Sequence, residues 1–179
     1  MIIDTLAKQG REKIYTGLAD IEASKLKKMR NESLRKSFAS FDEIKYKLDF
    51  EARISGMDFI NDAASRTVNA TWYSLDTLEK SIIWIANGDV NDVDFASLKP
   101  LALQKVRMLV CLGENNQKLH ETFSGVVPQI IDANTMEAAL YAAFYSGIEN
   151  AVTIFSPACE NGVPASEQGA GFKYFVNEL

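Results

Sequence analysis

The chain has few of the residues that build metal centres and disulfide frameworks: its 179 residues include two cysteines and one histidine. Cys111 sits inside the apolar run "VRMLVCL" and Cys159 just after another, so neither a disulfide framework nor a zinc-ligand spacing follows from them. Both read as buried free thiols. His120, in "NNQKLHETF", has no cysteine or second histidine close by in sequence and reads as a surface residue, so no metal is expected. Long apolar runs are missing too: "SIIWIA" and "VRMLVCL" fall far short of the roughly 20 residues that span a bilayer. The first residues, "MIIDTLAKQGREK", lack a basic stretch followed by an apolar one, and a cytoplasmic location is expected. No G-x-G-x-x-G turn and no G-x-x-x-x-G-K-[ST] loop occurs, so the chain has no recognised hold on a nucleotide and no cofactor is expected.

What is present is divided unevenly by charge. Residues 1–36 hold nine Lys and Arg against five Asp and Glu, whereas residues 37–179 hold ten against nineteen. A basic head of +4 therefore precedes an acidic body of −9. The densest part of the head, "KLKKMRNESLRK", has neither interleaved aromatics nor a nucleic-acid motif, and nucleic acid is not an expected partner. Ile14, Leu18 and Ile21 at helical spacing, continued with a slip by Leu26, Met29 and Leu34, give the head as a helical segment. It forms a solvated face or docks on an acidic surface.

From Ile44 the pattern becomes alternating, and "IKYKLDFEARISGMDFIND" predicts two extended segments turned at Ser55 and Gly56. Beyond it, strand-like runs "MDFI", "SIIWIA", "VRMLVCL", "VVPQII" and "AVTIF" alternate with helix-like segments beginning near Val68, Phe95, Asn115 and Met136. Continuous apolar runs are what strands covered on both faces look like. The expected fold is α/β: a Rossmann-like, mostly parallel sheet with helices on both faces, preceded by the helical head (1–36) and an antiparallel hairpin. Ligands in such folds sit beyond the carboxyl ends of the strands. The loops there are "NDAASRT", "NGDVND", "GENN" and "SPACENGVPASEQGAG".

Residues 59–88, "FINDAASRTVNATWYSLDTLEKSIIWIANG", carry a resemblance. They are similar to the opening of the C-terminal domain of the Mur ligases, in particular the branch that joins D-glutamate to UDP-N-acetylmuramoyl-L-alanine. Similarity continues through "LVCLGENNQKLHETF", "MEAALYAAF" and "FSPACE", and upstream through "LRKSFASFDEIKYKLDF", with the blocks in the family's order. The resemblance implies that residues 37–179 form the domain that, in the family, supplies residues for the incoming amino acid. Separate family domains bind the UDP-sugar and the ATP phosphates.

Carried over position by position, the resemblance implies a loss of binding groups. The family's first loop runs N-D-S-K-A-T-N; here Asn61 and Asp62 remain, Ala64 replaces the lysine, and Arg66 replaces the threonine ahead of Thr67. In the second loop, G-G-x-D-K-G-N-D, Asn91 stands where a lysine meets the amino-acid carboxylate. In the third, Ser156, Pro157, Ala158 and Cys159 are kept, but Asn161 takes the serine position and the following aromatic is gone. An unpaired carboxylate is costly to desolvate, so a loop carrying Asn91 among Asp89, Asp92 and Asp94 repels D-glutamate. The candidate residues are thus remnants of a substrate loop, Asn61, Asp62, Arg66, Thr67, Asn91, Ser156 and Asn161, and no catalytic residue is assigned. The scaffold, including Trp72, Trp84 and Phe155, is kept.

Each remnant has a structural reading. Asn61 and Asp62 suit a turn or helix cap. The aspartates after Gly88 lack the glycine and terminal glutamate of a calcium loop. "SPAC" suits a turn at a strand's end, because Cys159 has no basic neighbour in sequence to activate it. The expected function is a stand-alone, non-catalytic interaction or regulatory module, binding a protein through the basic helix or the sheet-end loops, with no membrane insertion. The alternative is a split-ligase subunit that lends its amino-acid domain to an ATP-dependent ligation completed by another chain.

Overall fold

The computed structural model describes residues 45–88 and 93–179. The helical head and Asn91 lie outside the described residues. Six strands form one sheet in the order β1-β2-β6-β3-β4-β5. They are β1 (Asp49–Ile54), β2 (Met57–Asn61), β3 (Ser81–Asn87), β4 (Val106–Leu112), β5 (Gln129–Ala133) and β6 (Ala151–Phe155). β1 and β2 are antiparallel, joined through Ser55 and Gly56, both at positive φ, and every other neighbouring pair is parallel. Five α-helices are described: α1 (Val68–Thr77), α2 (Lys99–Lys105) after a 3-10 turn at Ala96–Leu98, α3 (Gln117–Phe123), α4 (Met136–Phe144) and α5 (Ala165–Asn177).

The alternate faces of the strands make two cores. Trp84, Leu109, Cys111 and Ile154 point to one, which α1, α2 and α3 close with Leu75, Leu101, Leu119 and Phe123. Ile83, Ile85, Val110 and Phe155 point to the other, closed by α4 and α5 with Leu140, Ala143, Phe172 and Val176. The fold is thus the α/β, Rossmann-like arrangement that the continuous apolar runs predict. β6 lies between β2 and β3, and its continuation leads to α5 on one face while theirs lead to α1 and α2 on the other. Diverging connections open a crevice at the strand ends on either side of β6.

Three details depart from the sequence pattern. The extended reading from Ile44 fails before Asp49: Tyr46 and Leu48 have φ of 64° and 52°, which makes residues 45–48 a tight turn instead. The run "VVPQII" enters the sheet only at Gln129, just past Pro128, a residue with no N–H to give to a ladder. The loop assigned to "SPACENGVPASEQGAG" ends early, because α5 begins at Ala165. Pro164 is its N-cap residue, a place that does not need an N–H, and two of the three glycines that suggested a loop, Gly169 and Gly171, lie inside the helix.

Gly169 is glycine for a packing reason. A Cβ there would lie 2.5 Å from Cγ of the Tyr46 ring, whereas a Cβ at Gly171 would meet nothing within 4 Å. Replacing Gly171 by Ala should therefore raise the thermal midpoint, since alanine is favoured over glycine in a helix by about 1 kcal/mol. The same change at Gly169 should lower it despite the better propensity, because the ring beneath must move. Thermal unfolding of the two variants beside the native chain reads both signs.

Candidate functional site

The strand-end loops flanking β6 meet around a buried ammonium. The 45–48 turn drives Lys47 inward, where its side chain is 4% exposed and Nζ lies 3.1 Å from Oδ1 of the fully buried Asp62. Nζ also donates to Ser65 Oγ and, at 2.7 Å, to Ser74 Oγ on α1. Three acceptors thus match the three donors of the ammonium. Asp62 accepts from Leu48 N (3.2 Å) at Oδ1 and from Ser156 Oγ (2.8 Å) at Oδ2. The Thr71 hydroxyl, on α1, stands 2.8 Å from that same Ser156 oxygen.

Backbone bonds tie the loops further. Ala64 N donates to Tyr46 O, Ala158 N to Ser65 O, and Asn87 N to Pro157 O, at 3.0, 3.0 and 3.2 Å. Trp84 Nε1 donates to Ser156 O at 2.8 Å, and the Cys159 thiol donates to the carbonyls of Asn87 and Pro157. "SPAC" is therefore a buried turn, with Ala158 at φ 65° and its Ser156 in the ion-pair network.

The sequence-derived remnants separate in space. Asn61 points to the opposite face of the sheet, donating to Glu51 Oε1 and to Gly169 O, both at 2.9 Å, so it anchors β1 and α5. Asp62 and Ser156 enter the buried network. Neither Asn61 nor Asp62 caps α1. Thr67 does, accepting from Ala70 N at 3.2 Å. Arg66 is half-buried beside them, its Nε without a hydrogen-bond partner among the described residues. Asn161 lies apart: its Oδ1 accepts from Val163 N (3.2 Å), and it lines a cavity of about 410 Å³ with Gly113, Thr135 and Gln168. Lys47 was missed by sequence reasoning because "KYKLD" alternates, which gave no reason to turn the lysine inward. The signal available was the demand of a buried aspartate for a cation.

At the far side of the crevice, the ends of β4 and β5 hold a second polar group. His120 is half-exposed, not free on the surface, with Nε2 2.9 Å from Asp132 Oδ1. Asn116, 7% exposed, donates Nδ2 to Asp132 Oδ1 (2.8 Å), Gly113 O (3.0 Å) and Cys111 O (3.2 Å). The Cys111 thiol is pushed up to about 12, first by burial and then by the charge of Asp132.

Comparisons with known proteins agree with this architecture. No family model matches the chain. The ligase named UDP-N-acetylmuramoylalanine–D-glutamate ligase from Porphyromonas gingivalis (strain ATCC 33277) is 33% identical over 156 residues, covering 87% of this chain and 35% of the relative. The protein of the same name from Christiangramia forsetii is 30% identical over 180 residues, 97% of this chain and 40% of the relative. The chain is thus similar in sequence to one part of these ligases. A solved domain from a Haemophilus ducreyi protein, titled as a putative UDP-N-acetylmuramate:L-alanyl-gamma-D-glutamyl-medo-diaminopimelate ligase, shares the fold. It superposes with a TM-score of 0.52 at 9% identity, over 73% of this chain and 98% of that one. A bifunctional folylpolyglutamate synthase/dihydrofolate synthase from Yersinia pestis also has a TM-score of 0.52, at 14% identity, over 76% of this chain and 32% of that one. The chain spans between a third and two-fifths of the length of the curated relatives it matches. Among the described residues no helix is long and apolar enough to cross a membrane.

The network sets a clear expectation for stability. Lys47→Met leaves the buried Asp62 without its cation and should cost about 3–5 kcal/mol. Ser156→Ala removes one hydrogen bond to that charge and should cost about 1.5–3 kcal/mol. Urea titration should show both as a lower midpoint with an unchanged slope.

Proposed function

We propose that this domain is a non-catalytic member of the Mur ligase group that acts as an interaction or regulatory module, with a link to peptidoglycan precursor synthesis. One observation carries the reading. The carboxylate of the loop after β2 is spent inside the protein: Asp62 is fully buried and holds Lys47, and its other oxygen is taken by Ser156. A dicarboxylic amino acid needs cations and donors that face the crevice. Neither Lys47 nor Ser156 faces that way. Under this reading the strand-end loops work as a contact surface, and Arg66 is the charged group they offer to a protein partner.

The second reading is a ligase subunit that lends the amino-acid domain to an ATP-dependent joining of D-glutamate to a UDP-sugar peptide. Its support is also Arg66, a cation beside the crevice whose Nε is buried without a partner among the described residues.

D-glutamate titrated into the isotope-labelled full chain separates the two. Amide resonances of residues 62–67 and 156–161 should stay in place at millimolar ligand. A saturable shift that Arg66→Ala abolishes would overturn the module reading and support the subunit. Affinity capture with the native chain and with Arg66→Glu tests the contact surface: a partner held by the first and lost by the second is expected. Equal recovery by both removes the loops from the interface.

A further inference from the structure

We propose that Cys111, His120 and Asp132 form a binding site for a divalent transition metal of the zinc class at the carboxyl ends of β4 and β5. Cys111 and Asp132 are direct partners across the parallel β4–β5 pair, so their side chains leave the sheet on the same face. α3 supplies His120 to that pair, and one ligand atom from each of the three residues lies within 4.8 Å of the other two. Metal–sulfur bonds of about 2.3 Å and metal–nitrogen or metal–oxygen bonds of about 2.0 Å set ligand atoms roughly 3–4 Å apart in a tetrahedron. Side-chain adjustments of an ångström or so are enough to close the three around an ion.

Two further observations fit a bound ion. The carboxylate of Asp132 is already oriented by the buried Asn116, whose Nδ2 donates to Oδ1 at 2.8 Å, the outer-shell arrangement that positions a metal ligand. A cavity of about 290 Å³, lined by Gly113, Asn116, His120 and Asp132 among others, opens the imidazole and carboxylate to solvent and leaves room for a water as fourth ligand; the fully buried Cys111 does not line it. One thiolate, one imidazole and one carboxylate suit zinc or cobalt, whereas magnesium and calcium prefer all-oxygen shells. Among the described residues this is the one group of three such side chains gathered closely enough. The spacing of 111, 120 and 132 in the sequence carries no motif, because the grouping depends on strand pairing.

Coordination replaces the S–H bond of Cys111 by a metal–sulfur bond, and the proton passes to solvent. Protons compete with the metal for these ligands, so affinity falls as the pH falls.

The test uses the full chain, stripped with a chelator and titrated with Co²⁺ or Zn²⁺ alone. Expected are one ion per chain at micromolar or tighter affinity, release of one proton, and a thiolate-to-cobalt charge-transfer band in the near ultraviolet. Cys111→Ala should remove the band and Cys159→Ala should keep it. His120→Gln, a change at a half-exposed residue that leaves the fold intact, should weaken binding by at least about tenfold, as should Asp132→Asn. The proposal is overturned by binding no tighter than millimolar, by cobalt binding without the thiolate band, or by an affinity that His120→Gln leaves unchanged.

Discussion

A single buried ammonium sets the geometry of the strand ends in this domain. Removing Lys47 and Asp62 from water costs several kcal/mol per ion, and mutual attraction offsets that only when the remaining donors and acceptors are also satisfied. Ser65, Ser74, Ser156 and Leu48 N meet that condition, and they come from the loop after β2, from α1, from the loop after β6 and from the turn before β1. The ion pair therefore specifies a meeting point for four segments far apart in the chain. The left-handed Tyr46 and Leu48 on either side of Lys47 follow from the same demand, at roughly 1–3 kcal/mol of backbone strain each. Tyr46 then becomes the floor on which α5 passes at Gly169.

This arrangement separates two uses of one fold. A Mur ligase C-terminal-like domain provides a crevice beside β6 where diverging loops could hold a ligand. Here the Asp62 carboxylate and the Ser65 hydroxyl of the loop after β2 face into the core, where both meet the Lys47 ammonium. The polar groups that remain close to solvent are Arg66, near the end of that loop, and those at the ends of β4 and β5 around His120 and Asp132. Gly88 shows how tightly the second of these is assembled. A Cβ there would fall 1.9 Å from Asn116 Oδ1, so the end of β3 runs directly against the side chain that orients Asp132.

Much of the fold was legible in the sequence because burial on two faces leaves a plain mark. "SIIWIA", "VRMLVCL" and "AVTIF" are continuous apolar runs, and all three are strands with both faces covered. The hairpin was legible from Ser55 and Gly56. α5 was not, because its glycines and the preceding proline resemble a loop until Tyr46 is seen beneath Gly169. The site was less legible than the fold. Asn61 and Asp62 are adjacent in sequence but point to opposite faces of the sheet, one to α5 and the other to Lys47. The cluster of Cys111, His120 and Asp132 depends on which strands are neighbours, which no local pattern records.

The most direct measurement of this account is a double-mutant cycle between Lys47→Met and Asp62→Asn, followed by urea unfolding. If the pair is the constraint that gathers the loops, the two changes must be strongly non-additive. The double variant should be more stable than the sum of the single losses by about 2 kcal/mol or more, because each single change leaves the other charge buried alone. Additive losses, with the double variant as unstable as the sum, would contradict the account and leave the loops gathered by backbone contacts instead.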